Sequence, residues 1–352
     1  MRVKEIPYKE ESISLHDKIW QKGKVAQCQI ELTFRCSHRC NYCYIPPLLL
    51  EGKEKGKELN TEKWKKIIDK IVASGVQWIS FTGGDPFIRE DFLEIYLHAK
   101  KKGLFVNILT NAGNINKATA EFLKLYRPFN IEVTLNSLKE DTFEKITRVK
   151  GSFKKTMQGI FLLKEFSLPF KIKFKVLTLN LKELEAVGNF SRELKVPFNF
   201  NFQVYPRLDG STAPLKYRLT PEAIKKEFFQ NDEYSPSSPR IPAGEKRKLF
   251  KCGIGTWSFS ISPEGKVMAC PFLREYTIPC WENLLQEFKI LSHTLREKKF
   301  TRDTPCSRCS LFYICSWCPA IAFLETGEYQ KNIPYYCKLT KLLGKQRIEC
   351  EA

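Results

Sequence analysis

From Ala26 onward, short apolar runs alternate with longer stretches in which apolar residues recur every three or four positions. The short runs are rich in β-branched and aromatic residues. They predict strands at Gln27–Leu32, Trp78–Thr82, Phe105–Leu109, Ile131–Leu135, Phe170–Leu177 and Phe198–Tyr205. The longer stretches predict helices at Thr61–Ala73, Arg89–Lys101, Lys117–Leu125, Gly151–Phe166 and Leu181–Leu194. Strands alternating with helices predict an α/β fold with a parallel sheet built by right-handed crossovers. Six such units in about 180 residues are too few for a full eight-fold barrel. They suit an open, partial (β/α)6 TIM-like barrel.

The rhythm stops at Asn231–Lys248, where Ser235-Pro236-Ser237-Ser238-Pro239 and Ile241-Pro242-Ala243-Gly244 read as a linker. Beyond it, Thr256–Ile261 and Lys266–Ala269 flank Ser262-Pro263-Glu264-Gly265, which predicts a β-hairpin with Gly265 in its turn. A helical run begins at Trp281. The expected organisation is an N-terminal extension over 1–25, a barrel over 26–230, a linker over 231–248 and a small domain over 249–352. That last segment reads as having few regular elements, a hairpin and short helices, and so as needing staples.

Composition sharpens this picture. No apolar run reaches the roughly 18–20 residues of a membrane helix, and the N-terminus lacks the apolar core of a signal peptide. A cytoplasmic protein without a membrane partner is expected. The formal charge is +19. No basic, aromatic-interleaved run favours nucleic acid, so the excess reads as a lysine-rich surface, partly offset by the charge of any bound cluster, and as an attraction for acidic partners. Thirteen cysteines in a chain without a secretion signal point to metal or cluster ligation rather than disulfides. Nine of them fall after residue 249.

The first constellation is Cys36-x3-Cys40-x2-Cys43, directly after the first strand. Three thiolates on one loop can bind three irons of a cubane cluster and leave the fourth open to a small molecule. Parallel α/β sheets place their sites at this end of the strands. A zinc knuckle completed by His38 is the alternative. The triple, with aromatic Tyr42 before its last cysteine, resembles the signature of the radical S-adenosylmethionine (radical SAM) superfamily over roughly residues 26–210.

That resemblance implies a cluster on Cys36, Cys40 and Cys43 that binds S-adenosylmethionine and cleaves it reductively to methionine and a 5′-deoxyadenosyl radical, which abstracts a hydrogen atom. It also implies cofactor contacts along the strand ends. Thr82-Gly83-Gly84-Asp85-Pro86 stands where the family has G-G-E-P, the segment that receives the cofactor's amino group. Its two glycines allow close backbone approach to a ligand. Asn136 and Ser137 follow the fourth strand, where the family often contacts the ribose. Arg148 stands where an arginine often reaches the methionine carboxylate. Thr110-Asn111 is a weaker candidate for the same pocket.

The second constellation runs Cys252-x12-Gly265-x4-Cys270, then Cys306-x2-Cys309-x5-Cys315-x2-Cys318, then Cys337. It resembles the SPASM extension of radical SAM enzymes, with one residue fewer before Cys318. The resemblance implies one auxiliary cluster on Cys306, Cys309, Cys315 and Cys337 and another on Cys252, Cys270 and Cys318. Three [4Fe–4S] clusters result. Cys280 is a candidate fourth ligand for the second auxiliary cluster, against an open iron able to bind a substrate thiol. A zinc ribbon on the two C-x2-C pairs would leave Cys252, Cys270 and Cys337 unexplained. Cys28 reads as a small buried hydrophobe in the first strand and Cys350 as incidental.

SPASM enzymes mostly modify ribosomal peptides or proteins, so the resemblance implies a peptide or protein substrate and a crosslink, thioether or epimerisation. Sulfatase maturation is disfavoured because Pro271, not an acid, follows Cys270. Residues 1–25 are too short for a leader-binding module, so a separate leader-recognition protein, or a substrate without a leader, is expected, with a flavodoxin or ferredoxin as electron donor. The alternatives are a small-molecule enzyme of haem-decarboxylase or alcohol-dehydrogenase type and, more remotely, a non-catalytic iron–sulfur carrier. A carrier has no use for the cysteine loop together with Gly83, Gly84 and Arg148.

Overall fold

A computed structural model describes residues 25–52, 57–229, 247–252, 254–279 and 284–348. Six parallel strands, β1 (Gln27–Thr33), β2 (Trp78–Gly83), β3 (Phe105–Thr110), β4 (Asn130–Thr134), β5 (Phe170–Lys175) and β6 (Phe198–Asn201), pair in chain order. Between them run α1 (Thr61–Ala73), α2 (Phe92–Lys101), α3 (Lys117–Leu125), α4 (Glu140–Thr147), α5 (Ser152–Glu165) and α6 (Leu184–Glu193). This is the α/β partial-barrel class that the pattern predicts. α4 was not anticipated, and α2 starts three residues later than expected because Pro86–Ile88 forms a single 3-10 turn. Helix starts carry their signals: Asn60 Oδ1 accepts from Lys63 N (3.0 Å) at α1.

Alternation along the strands sorts residues to two faces. On β1, Cys28, Ile30 and Leu32 enter the hydrophobic core with Trp64, Ile67, Ile68 and Ile71 of α1. The alternate residues Gln27, Gln29, Glu31 and Thr33 therefore face the barrel interior, and so do Glu132 on β4 and Lys171, Lys173 and Lys175 on β5. The interior is polar, and its charges are partly paired: Lys171 Nζ and Lys173 Nζ reach the two oxygens of Glu132 at 2.6 and 2.7 Å.

The C-terminal segment departs from expectation. Its hairpin, β7 (Ser258–Ile261) and β8 (Lys266–Met268), extends the barrel sheet, because β7 pairs with β1 in parallel, Gln27 opposite Ser258 and Ile30 opposite Ile261. An unpredicted edge strand, β9 (Thr277–Pro279), makes nine strands in the order β6-β5-β4-β3-β2-β1-β7-β8-β9. Edge position tolerates Pro279. After α7 (Pro221–Phe228), the helices α8 (Leu284–Arg296), α9 (Pro319–Thr326) and α10 (Pro334–Ile348) follow among the described residues. Two of these are longer than the short helices expected, and one hydrophobic cluster runs from Val25 to Leu339. Nearly all of the predicted linker and of the N-terminal extension, and Cys280 and Cys350, lie outside the described residues. Among the described residues no helix is long and apolar enough to cross a membrane.

Candidate active site at the strand ends

The loop carrying Cys36, Cys40 and Cys43 leaves the C-terminal end of β1 and is fixed by backbone bonds to the end of α4. Arg39 N donates to Thr147 O (2.8 Å) and Asn41 N to Ile146 O (2.9 Å). Arg39 Nη1 donates to the Cys36 and His38 carbonyls, folding the loop around the thiols. His38 N and Asn111 Nδ2 point at Cys36 Sγ at 3.4 and 3.5 Å. Burial, then the Asp85 charge and more weakly Cys43, raises the pKa of Cys36 to about 12, and burial with the neighbouring Cys43 and Cys36 raises that of Cys40. Burial also raises Cys43, while the Arg207 guanidinium opposes that rise. Three half-buried thiols, at least two of them within reach of the others' charge, are unfavourable as bare thiolates without a cation among them. A ferrous–ferric core supplies that cation, so the donor set fits a cluster. Each thiolate of a cubane meets its own iron, so the sulfurs need not converge. Among the described residues no three His, Cys, Asp or Glu side chains converge on one metal ion. His38, the candidate zinc ligand, lies edge-on to Phe143, and burial holds its pKa down to about 4.

The segment after β2 packs directly on this loop. Gly83 has φ 122°, and a Cβ there would lie 2.0 Å from Thr33 O; at Gly84 it would lie 2.1 Å from Arg35 O. Gly84 N donates to Thr33 O (2.7 Å) and Asp85 N to Arg35 O (2.9 Å). The glycines let one loop lie directly against the other. Pro86 begins the 3-10 turn. Asp85 is fully buried and accepts from Phe87 N (3.0 Å), Thr110 Oγ1 (2.8 Å) and Asn111 N (2.9 Å), tying β2 to β3. Burial raises its pKa to about 6 despite those donors.

Tyr42 donates its hydroxyl to Asn136 Oδ1 (2.9 Å), so the aromatic residue of the cysteine motif orients the polar side chain after β4. Ser137 differs from expectation. It is fully buried, and its hydroxyl goes to Glu183 Oε2 (2.6 Å) rather than to an open pocket. Arg148 ends α4 in the left-handed conformation (φ 57°) and lines a cavity of about 160 Å3 with Arg39, Cys40 and Arg207. Arg207, which the sequence did not single out, keeps a buried Nε without a partner. An anion beside Cys40 and Cys43 would satisfy it.

The C-terminal cysteines form two groups. Cys306 senses Cys337, Cys315 and Cys309; burial, then these neighbours, pushes its pKa up to about 12. Cys270 senses Cys318 and Cys252 and is likewise pushed by burial to about 12. Cys318 occupies the N-cap of α9, where the Ile321 and Ala320 amides face its sulfur and oppose the rise that burial causes. Cys306 thus lies within electrostatic reach of Cys337, Cys315 and Cys309, and Cys270 within that of Cys318 and Cys252. Two cations brace the segment that carries Cys306, Cys309 and Cys315: Arg247 Nη1 donates to Cys306 O (3.1 Å) and Cys309 O (2.8 Å), and Lys251 Nζ donates to Phe312 O (2.6 Å) and to Cys315 O.

The two halves meet across the barrel mouth. Tyr44, beside Cys43, packs edge-on to Phe272 (5.4 Å), two residues after Cys270; Phe272 also meets Tyr205 (5.0 Å). Glu31, fully buried, accepts from Arg274 Nη2 (2.6 Å) and Tyr44 Oη (3.2 Å). A cavity of about 230 Å3 runs from the interior-facing Gln29, Ser80 and Ser260 to Cys252 and Cys270. A partial barrel with three thiols on the loop after its first strand is the arrangement that the resemblance to radical SAM enzymes implied.

The comparisons with known proteins agree. A family profile described as the radical SAM superfamily matches residues 30–190, and the chain belongs to that superfamily. It is 24% identical over 339 residues to a PqqA peptide cyclase of Bradyrhizobium diazoefficiens, covering 89% of this chain and 86% of the relative. It is 24% identical to an AdoMet-dependent heme synthase of Methanosarcina barkeri, covering 87% of this chain and 94% of the relative. Its fold matches the crystal structure of Streptococcus suis SuiB bound to the precursor peptide SuiA, with TM-score 0.65 and 16% identity, over 93% of this chain and 80% of that one.

Proposed function

We propose that this radical SAM enzyme acts on a peptide or protein, held at the barrel mouth between Cys36, Cys40 and Cys43 on one side and Cys252, Cys270 and Cys318 on the other. The observation that carries this is the contact of Tyr44 with Phe272, which joins the two cysteine groups across an open polar interior. The peptide cyclase among the relatives and the peptide-bound fold neighbour support the substrate class. When bound, a cluster with S-adenosylmethionine supplies a 5′-deoxyadenosyl radical that removes a hydrogen atom from the substrate.

The chain's own residues bind and orient. Arg39, Arg148 and Arg207 offer guanidinium groups to the cofactor's carboxylate. The Gly83–Gly84 backbone offers carbonyls to its amino group, while Asp85 and Asn111 hold that backbone and Cys36 in place. Asn136, turned by Tyr42, faces the cofactor's polar groups. Tyr44, Phe272 and Tyr205 keep water from the mouth. Auxiliary clusters on Cys306, Cys309, Cys315 and Cys337 and on Cys252, Cys270 and Cys318 complete the reading, with a flavodoxin or ferredoxin as cytoplasmic electron donor.

Anaerobic reconstitution tests it. The protein should hold about twelve irons and form 5′-deoxyadenosine from S-adenosylmethionine. The C36A/C40A/C43A variant should lose that activity and about four irons, keeping the rest. Unchanged cleavage in that variant would sink the assignment.

A further inference from the structure

The interior face of β5 carries three lysines on alternate positions, 171, 173 and 175. Two share Glu132 on the neighbouring strand. Lys175 does not. It is the last residue of β5, opposite Asn201 of β6, at the C-terminal end where the barrel opens. Its ammonium donates to the Asn201 side-chain oxygen and to Gln203 O (2.7 Å), both uncharged, and among the described residues no carboxylate pairs with it. Two acceptors leave one ammonium proton unassigned.

A half-buried cation held only by neutral dipoles is unfavourable, and a group so perturbed at the open end of a barrel is a candidate binding group. Burial, then the neighbouring Lys173 charge, lowers the pKa of Lys175 to about 8. An incoming anion would reverse both effects. The position is specific as well. Gln203, whose carbonyl Lys175 holds, accepts from Tyr205 Oη (2.8 Å), and Tyr205 lies within the electrostatic reach of Cys318 and Cys270. Lys175 thus stands on the Cys270 side of the mouth, while three arginines already line the cavity beside Cys40 for the cofactor's own carboxylate.

We propose that Lys175 binds a carboxylate of the substrate, so that the enzyme takes an acidic residue, or another carboxylate-bearing group, at the mouth of its barrel. This rests on the reading that the substrate enters there, but it does not require the substrate to be a peptide.

Equilibrium dialysis under anaerobic conditions tests it, using reconstituted protein with S-adenosylmethionine bound and two radiolabelled probes, N-acetyl-glutamic acid methylamide and N-acetyl-glutamine methylamide. A charge-assisted contact predicts that the glutamate probe binds about tenfold tighter or better. The preference should disappear in Lys175→Met and persist in Lys175→Arg, which keeps the charge. Equal binding of the two probes, no binding of either, or a preference that survives in Lys175→Met overturns the assignment. In each case the radical SAM assignment still stands or falls separately, on the iron content and the 5′-deoxyadenosine assay. Weakened S-adenosylmethionine binding in Lys175→Met, with the glutamate preference intact, assigns the lysine to the cofactor and overturns it too.

Discussion

Replacing Arg274 with methionine removes the counter-charge of a carboxylate that has no access to water. Glu31 is fully buried on the interior face of β1, and Arg274 approaches it at 2.6 Å from the C-terminal half. Breaking a buried pair from one side costs about 3–5 kcal/mol. Arg274 is itself a quarter exposed, which places the cost near the lower end, about 3 kcal/mol. The lost contact with the Phe34 ring (5.1 Å) adds a fraction more. At about 2 °C per kcal/mol in a chain this large, melting should fall by roughly 6 °C. The E31Q/R274M double variant should recover at least half of that, since no charge is then left buried.

The pH dependence has a definite sign. Burial already raises the Glu31 pKa above its ordinary 4.5, with Arg274 opposing the rise, so R274M raises it further. A carboxyl whose folded pKa lies above its unfolded value destabilises the fold only as pH climbs past the unfolded value. The gap between R274M and the parent should therefore narrow towards pH 5 and widen towards pH 8. Differential scanning fluorimetry of the two single variants and the double variant, across that range, measures it. A loss under about 1 kcal/mol, or single-variant losses that simply add, would refute the view that this pair couples β1 to the C-terminal half.

Two further outcomes are expected. Gly84→Ala places a methyl group 2.1 Å from a backbone oxygen that cannot move without the cysteine loop, so it should cost about 1–3 kcal/mol or more and lower the iron retained after anaerobic gel filtration; normal iron content would contradict the packing argument. Lys251→Met removes a cation that senses cysteines of both C-terminal groups, so potentiometric titration followed by EPR should show an auxiliary signal shifted to lower potential by on the order of tens of millivolts, and an unshifted signal would place the ammonium too far from either cluster to matter.

Much of the barrel was legible because each strand and helix advertises itself locally. Most strand starts fall within a residue of the predicted ones, and α1 and α3 match end to end, bounded by Asn60 and Asn116 caps. The cysteine loop at the end of the first strand was legible because thiols at such fixed, tight spacing have few other uses. What escaped depends on partners distant in the chain. Ser137 looks like an open polar loop residue until Glu183, 46 positions on, takes its hydroxyl. Lys175 looks like one polar position in an alternating strand until its neighbours prove uncharged. Nothing local in Ser258–Ile261 says that β7 adds to β1 rather than standing in a separate domain.

That last pairing bears on how the chain is made. β1 needs two neighbours, and while β2 follows it at once, β7 emerges from the ribosome more than two hundred residues later. Throughout that interval the nascent barrel offers a bare strand edge, Gln27 to Ile30, to any other strand nearby. Long-range pairing of this kind forms slowly and invites misassembly on the way. Cutting the chain before β7 recreates that intermediate permanently. Expression of residues 1–230 alone should therefore give aggregates, and slower translation or chaperone support should raise the yield of the intact protein more than it would for a barrel whose first strand is closed early.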